Sequence, residues 1–257
     1  MKKSILTIAI MVFALLLGNG MKAQQKAPQG AINGKFSVSA DKQVYFSKGN
    51  LQYQPSTKKW RFAERQYNVV NADNYKGYTN SQYQGWIDLF FWGHGDNPLV
   101  GLDKACDNID NNHYVDYGTN VISNGGNSKW RTPTIDEWKY LIFQRKTSSG
   151  IRFAKGKVND EFGLILLPDD WSESYYHLNN TNNSEGDFLS NQISKADWTT
   201  LETKGAVFLP GHNGFVNYHD NCWSVLVDDG SSRFWSGDYW SSSSGHDWPH
   251  LMTCFII

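Results

Sequence analysis

The chain has 257 residues, 24 of them basic and 25 acidic, for a formal charge of −1 at pH 7. No cluster of Lys or Arg is longer than a pair, so the basic stripe that phosphate neutralisation needs is missing, and nucleic-acid binding is set aside as a function class. Aromatic residues make up 15% of the chain, and Asn, Ser and Gly crowd the stretches between apolar runs. That composition predicts short elements joined by long ordered loops, not a regular helical bundle.

At the N-terminus, Lys2 and Lys3 precede an apolar-dominated run from Ile5 to Leu17, then Gly18-Asn19-Gly20 and Ala23. This order predicts a secretory signal peptide over residues 1–23, cut after Ala23 to leave Gln24 as the mature start. A helix over that run would be roughly 20 Å long, short of a hydrocarbon core of about 30 Å. No cysteine lies near the cut to accept a lipid. Removal of the signal takes away Lys2, Lys3 and Lys22 and leaves 21 basic residues against 25 acidic ones, a formal charge of −4. Nothing later in the chain approaches 18 consecutive apolar residues, so no transmembrane segment is expected in the mature chain, and the protein is expected to be secreted, in the periplasm or at the cell surface.

Residues 24–34 carry Gln, Gly, Pro and Ala without periodicity and predict a flexible leader; residues 35–257 are expected to form a single domain. Lys35 to Ser39, Gln43 to Phe46, Asn50 to Gln54 and Trp60 to Phe62 follow a two-residue period and predict short antiparallel strands, with Pro55-Ser56-Thr57 as one connection. From Tyr67 to Asn127 the pattern dissolves into Asn, Asp, Gly and Tyr around an apolar patch, Trp86 to Gly93. Such a stretch either carries function or is ordered by packing its own aromatics. Thr134 and Glu137 form a capping-box pair that starts a helix with Trp138, Leu141 and Ile142 on one face and Ser148-Ser149-Gly150 beyond its end. Strands are expected at Ile151 to Lys155, Lys157 to Asn159 and Phe162 to Leu167, the last central in a sheet because it is nearly all apolar. Ser194 caps a second helix with Trp198 and Leu201 on one face and Gly205 as terminator, followed by a buried strand from Ala206 to Pro210. Three further strands are expected at Cys222 to Val227, Gly237 to Ser243 and His250 to Ile257.

Two of the three cysteines can pair in an oxidising compartment. Cys222 with Cys254 is the expected disulfide, since both sit in short apolar runs near the C-terminus, and three buried free thiols stay open as the alternative. Cys106 would be the odd thiol and has no His beside it.

The segment Trp130-Arg131-Thr132-Pro133-Thr134-Ile135-Asp136-Glu137-Trp138 resembles the Trp-Arg-x-Pro-Thr-x-x-Glu-Trp stretch of the formylglycine-generating-enzyme-like branch of the C-type lectin fold and of the related Fibrobacter major paralogous domains. Gly237-Asp238-Tyr239-Trp240 with Ser241 to Ser244 is similar to their late Tyr-Trp-Ser-Ser-Ser strand, and Val207 to Pro210 with Gly211 and Gly214 to the strand and glycine turn between. The three occur in the family's order and span roughly residues 125–257. The opening Gly30 to Val38 also resembles that of many secreted proteins of Bacteroides-type bacteria. The resemblance implies an α+β class with a C-type-lectin-like fold, a looped antiparallel sheet flanked by two helices, in which Trp130, Trp138 and Trp240 face the core.

Fold alone does not assign function. The copper-binding cysteine pair of the formylglycine-generating enzymes is not matched by Cys222 or Cys254. His94, His113, His177, His212, His219, His246 and His250 form no metal-ligand signature, and no Gly-x-Ser-x-Gly elbow occurs. Asp136-Glu137, Asp169-Asp170 and Asp228-Asp229 are available as carboxylate pairs, although neighbours on a strand point to opposite faces and Asp169-Asp170 after Pro168 reads as a turn. No resident cofactor is expected. Calcium stays open, because lectin folds of this type often use it and Asp107, Asp110 and Asn112 offer hard oxygen ligands in one loop; a solvated turn is the alternative.

Ser231 to His250 sets Phe234, Trp235, Tyr239, Trp240 and Trp248 among Ser, Gly, Asp and His, a composition suited to recognition. The resemblance places ligand-facing loops in this neighbourhood. Arg233, Trp235, Asp238, His246, Asp247 and Trp248 are therefore the expected contacts of a non-enzymatic binding or adhesive module for an extracellular glycan or protein. A diverged enzyme of that fold or a hydrolase, and a structural subunit of an envelope assembly, are the alternatives.

Overall fold

The computed structural model describes residues 26–70, 73–90, 93–99 and 114–213, together with the strand segments 226–228, 234–236, 239–240 and 252–253. The chain is of mixed α+β class. Its centre is a four-stranded sheet in the order β7-β5-β6-β8, built from β5 (Phe153–Val158), β6 (Glu161–Leu166), β7 (Gln192–Ile193) and β8 (Val207–Pro210). The apolar run expected to be central is β6, which pairs antiparallel with β5 on one side and β8 on the other. The two strands expected at 151–155 and 157–159 are one continuous strand, since Gly156 stays in register opposite Gly163. Asn159 and Asp160 close the β5–β6 hairpin with φ of 47° and 72°, the left-handed pair that a two-residue turn between twisted strands requires.

Alternation along these strands buries both faces of the sheet. Phe153, Leu166, Val207 and Leu209 pack with Trp138 and Leu141 of the first capped helix and with Phe36, Val38, Val44 and Phe46. Ala154, Val158, Ile165 and Phe208 pack on the other side with Trp198 and Leu201. Two helices therefore flank the sheet, which is not wholly antiparallel as expected, since β7 pairs parallel to β5. The first runs as α-helix over Ile135–Lys139 (α2; α1 is Asp73–Thr79) and continues as one π-helical turn, Tyr140–Gln144. The second, α3, spans Lys195–Thr203. Ser194 Oγ accepts the Asp197 N–H at 3.1 Å, and Gly205 ends the helix at φ 90°. A Cβ on Gly205 would lie 2.8 Å from Gly34 Cα, so the strained φ and the close approach both demand glycine there.

The N-terminal part forms two hairpins. β1 (Phe36–Ser37) pairs with β2 (Gln43–Val44), and β3 (Leu51–Gln54) with β4 (Lys59–Phe62). Inward residues of the second hairpin, Leu51, Tyr53, Trp60 and Phe62, share a cluster with Ile87, Phe90, Tyr117, Ile122 and Trp130. The long stretch after Tyr67 is thus ordered, where described, by its own aromatics. It also holds α1, which the sequence pattern does not reveal. The expected flexible leader differs as well: Ile32 is buried and donates its N–H to Phe46 at 2.9 Å, and Gly30 accepts from Lys48 N–H at 2.9 Å. Backbone pairing with the segment after β2 fixes residues that composition alone marks as loose.

β9 (His212–Asn213) continues from β8 after Gly211 and pairs with β11 (Phe234–Ser236), which also pairs with β10 (Leu226–Asp228); β12 (Tyr239–Trp240) pairs in parallel with β13 (Met252–Thr253). Among the described residues no helix is long and apolar enough to cross a membrane.

Candidate functional site

The Trp130 to Trp138 segment joins the hairpin layer to the sheet. Trp130 is buried with its ring 4.7 Å edge-on to Phe62, and its Nε1 donates to Gly125 O at 2.8 Å. Gly118 passes so close beneath it that a Cβ there would meet Trp130 O at 1.9 Å. Arg131 grips Glu137 with two parallel hydrogen bonds, Nη1 to Oε2 at 2.7 Å and Nη2 to Oε1 at 2.6 Å. Glu137 also accepts the Thr134 N–H at 2.9 Å, completing the capping box, and Lys42 Nζ from the β1–β2 turn at 2.9 Å. Burial alone would raise the Glu137 pKa. Hydrogen bonds from Arg131, Thr134 and Lys42 overcome that and bring it from 4.5 to about 2. Asp116 ties the same segment from the other side, accepting Thr132 N–H at 3.0 Å and Gly118 N–H at 2.7 Å.

A second junction centres on Asp169. Arg145, whose side chain is fully buried, donates Nη1 to Asp169 Oδ1 at 2.9 Å, Nη2 to Arg152 O at 2.8 Å and Nε to Leu141 O at 2.7 Å. Ser37 Oγ and Gln43 Nε2 donate to Asp169 Oδ2 at 2.6 and 2.8 Å. Burial lowers the Arg145 pKa to about 10 against the opposing pull of Asp169. Sequence reading takes Asp169 for a turn residue and Arg145 for a helix exit. Their partners lie too far along the chain for a local pattern to reveal them.

These groups work as clamps. A carboxylate with a pKa near 2 is a weak base at neutral pH, and its acceptor sites are already occupied, so Glu137 is poorly suited to proton abstraction. Asp169 likewise spends its oxygens on three donors.

Glu202 differs in kind. Burial, the largest influence, raises its pKa, opposed by Arg65 and by Gln66. Gln66 is itself buried, donates Nε2 to Glu202 at 3.2 Å and accepts the Phe208 N–H, so it closes the outer edge of β8.

Of the expected ligand contacts, Trp235 alone falls in a described segment. It lies in the middle strand of the β10-β11-β9 sheet, opposite Val227 on one side and Asn213 on the other, so its backbone is strand and not loop. Arg233, Asp238, His246, Asp247 and Trp248 lie outside the described residues, as do Asp107, Asp110 and Asn112, the signal residues 1–23, and Cys106, Cys222 and Cys254. Strands β10 and β13, which neighbour Cys222 and Cys254 in sequence, belong to different sheets among the described residues. Among the described residues no group of three or more His, Cys, Asp or Glu is placed to hold a metal ion. No family model, curated protein or solved structure matches the chain.

Proposed function

We propose that the protein is an exported, non-enzymatic binding module with a C-type-lectin-like fold, located in the periplasm or at the cell surface, and that it recognises an extracellular glycan or protein through Arg233, Trp235, Asp238, His246, Asp247 and Trp248. The observation that carries the reading is the continuity of β8 with β9. The aromatic-rich segment is hydrogen-bonded through β11 to a strand that runs on from the central sheet. A recognition segment anchored on a rigid element holds its contacts at low entropic cost. The ionic clusters of the described body support it from the other direction, because Glu137, Asp116 and Asp169 are committed to joining segments.

Binding of the purified protein to an array of glycans and surface proteins, with and without calcium, tests this. Specific binding that falls at least about tenfold in Trp235→Ala or Trp248→Ala is the expected result. Binding unaffected by both substitutions would refute the assignment of the contacts, and silence across the array would refute the module.

A further inference from the structure

The face of the β3–β4 hairpin opposite the aromatic cluster carries a stacked guanidinium. Inward positions fill the aromatic cluster, and the alternate positions, Gln52, Gln54, Lys59 and Arg61, form the other face, with Gln52 opposite Arg61 and Gln54 opposite Lys59. Arg61 is held from two sides. Its guanidinium carbon lies 3.9 Å from the centroid of the Trp86 ring, and its Nε donates to Gln52 Oε1 at 2.9 Å. Gln52 is 4% exposed, so the acceptor that orients the guanidinium is fixed by packing.

Among the described residues, no carboxylate lies at ion-pair distance from this guanidinium. Arg65, Arg131 and Arg145 each have a carboxylate oxygen within ion-pair distance. Among the described residues, the two terminal nitrogens of Arg61 have neither a hydrogen-bond partner nor an ion pair, and the exposed Glu64 acts on it only at longer range. Burial pushes the Arg61 pKa below its usual value, and the more distant Glu64 opposes that without cancelling it. The preceding residues add positive charge: Thr57-Lys58-Lys59-Trp60-Arg61 holds three cations and no acid in a chain whose formal charge is −1. Lys58 and Lys59 are exposed.

We infer that this face binds the carboxylate of an acidic saccharide of the uronate type. A planar guanidinium immobilised with its two terminal nitrogens free is the complement of a carboxylate, which it holds with two parallel hydrogen bonds. The buried amide of Gln52 only orients the guanidinium, and the partly exposed indole of Trp86 addresses the rest of such a ligand, an apolar ring face. An acidic peptide offers the charge without a rigid ring face beside it, and the saccharide uses both the guanidinium and the indole. The site is built from residues other than the proposed contacts Arg233 to Trp248, so its test reads a different set of side chains.

The test is calorimetric titration of the purified protein with three probes: an oligogalacturonate, the same oligomer with its carboxylates methyl-esterified, and poly-glutamate. The free acid should bind, weaken with added salt, and exceed the ester by roughly tenfold or more. Arg61→Gln should lose about the same factor. Arg61→Lys, which keeps the charge but not the fork, should fall between. Near-native melting temperatures for both Arg61 variants should establish that they fold. Absence of binding to the acid, equal affinity for acid and ester, or an unaltered affinity in both Arg61 variants would overturn the site. Poly-glutamate binding as tightly as the oligogalacturonate would overturn the saccharide and leave a general anion surface.

Discussion

On the α2 face of the central sheet, ionic clusters tie down both ends of the helix over the apolar layer. Arg131, Lys42 and Glu137 bind one end of the helix, and Arg145 with Asp169, Ser37 and Gln43 binds the other. On the α3 face, closure rests on apolar area: Trp171, Trp198, Leu201 and Phe208 are all nearly inaccessible, and the Trp171 Nε1 has no hydrogen-bond partner among the described residues. The two helices start from similar Ser/Thr caps and end against the same four strands. Their ends have different partners, and so the two faces should fail under different conditions.

The largest expected effect comes from removing area. Trp198→Ala should destabilise the fold by about 4 kcal/mol in chemical denaturation, by the same amount at neutral and mildly acidic pH, because the loss is one of packing. A penalty below about 1 kcal/mol would mean that the α3 face is not closed by that side chain. Arg145→Ala should cost about 3 kcal/mol, since it leaves Asp169 with only Ser37 and Gln43 and frees two backbone carbonyls that the guanidinium now covers. An unchanged denaturation midpoint would reduce this cluster to decoration.

The smallest effect should be the most diagnostic. Glu137→Gln should cost about 2 kcal/mol at pH 7 through the lost charge-assisted bonds. The folded pKa of Glu137 lies below its ordinary value. Its contribution is therefore full above about pH 4.5 and lost as the pH falls toward about 2, so the variant and the parent should converge over that interval. Glu202 carries the opposite sign. Its pKa is raised in the fold, so protonation on acidification relieves the α3 face instead of weakening it. Denaturation measured at pH steps from 7 to 2 separates the two behaviours. A Glu137→Gln penalty that does not shrink on acidification would contradict the division between an ion-tied and an area-closed face.

Which parts of this are readable from sequence follows from how far each interaction reaches. The Thr134–Glu137 box, the Ser194 cap, the Gly205 stop and the apolar run of β6 each depend on residues within a few positions of one another, and the structure contains all of them. Helix α1 does not declare itself, because Asp73 to Thr79 has no apolar period. What holds it is remote: Asn74 exchanges hydrogen bonds with Asp88, 14 residues on. Asp169 meets Ser37 across 132 residues and Gln43 across 126, so its role as a hub has no local signature, and neither does the anchoring of residues 30–32 by the segment after β2. The aromatic-rich segment after residue 230 is visible as composition, which does not tell that Trp235 belongs to a paired strand.

The two-residue turn at Asn159 and Asp160 has a kinetic consequence. Closing a loop that short takes far less chain entropy than bringing Ser37 or Val207 to the sheet, and hairpins of this type form in about 1–10 μs. The β5–β6 pair is thus the natural first element of the folding reaction. The N-terminal strands and β8 then meet a template already formed, and the hydrogen bonds of Ser37 and Gln43 to Asp169 can be made only once β1 and β2 have docked.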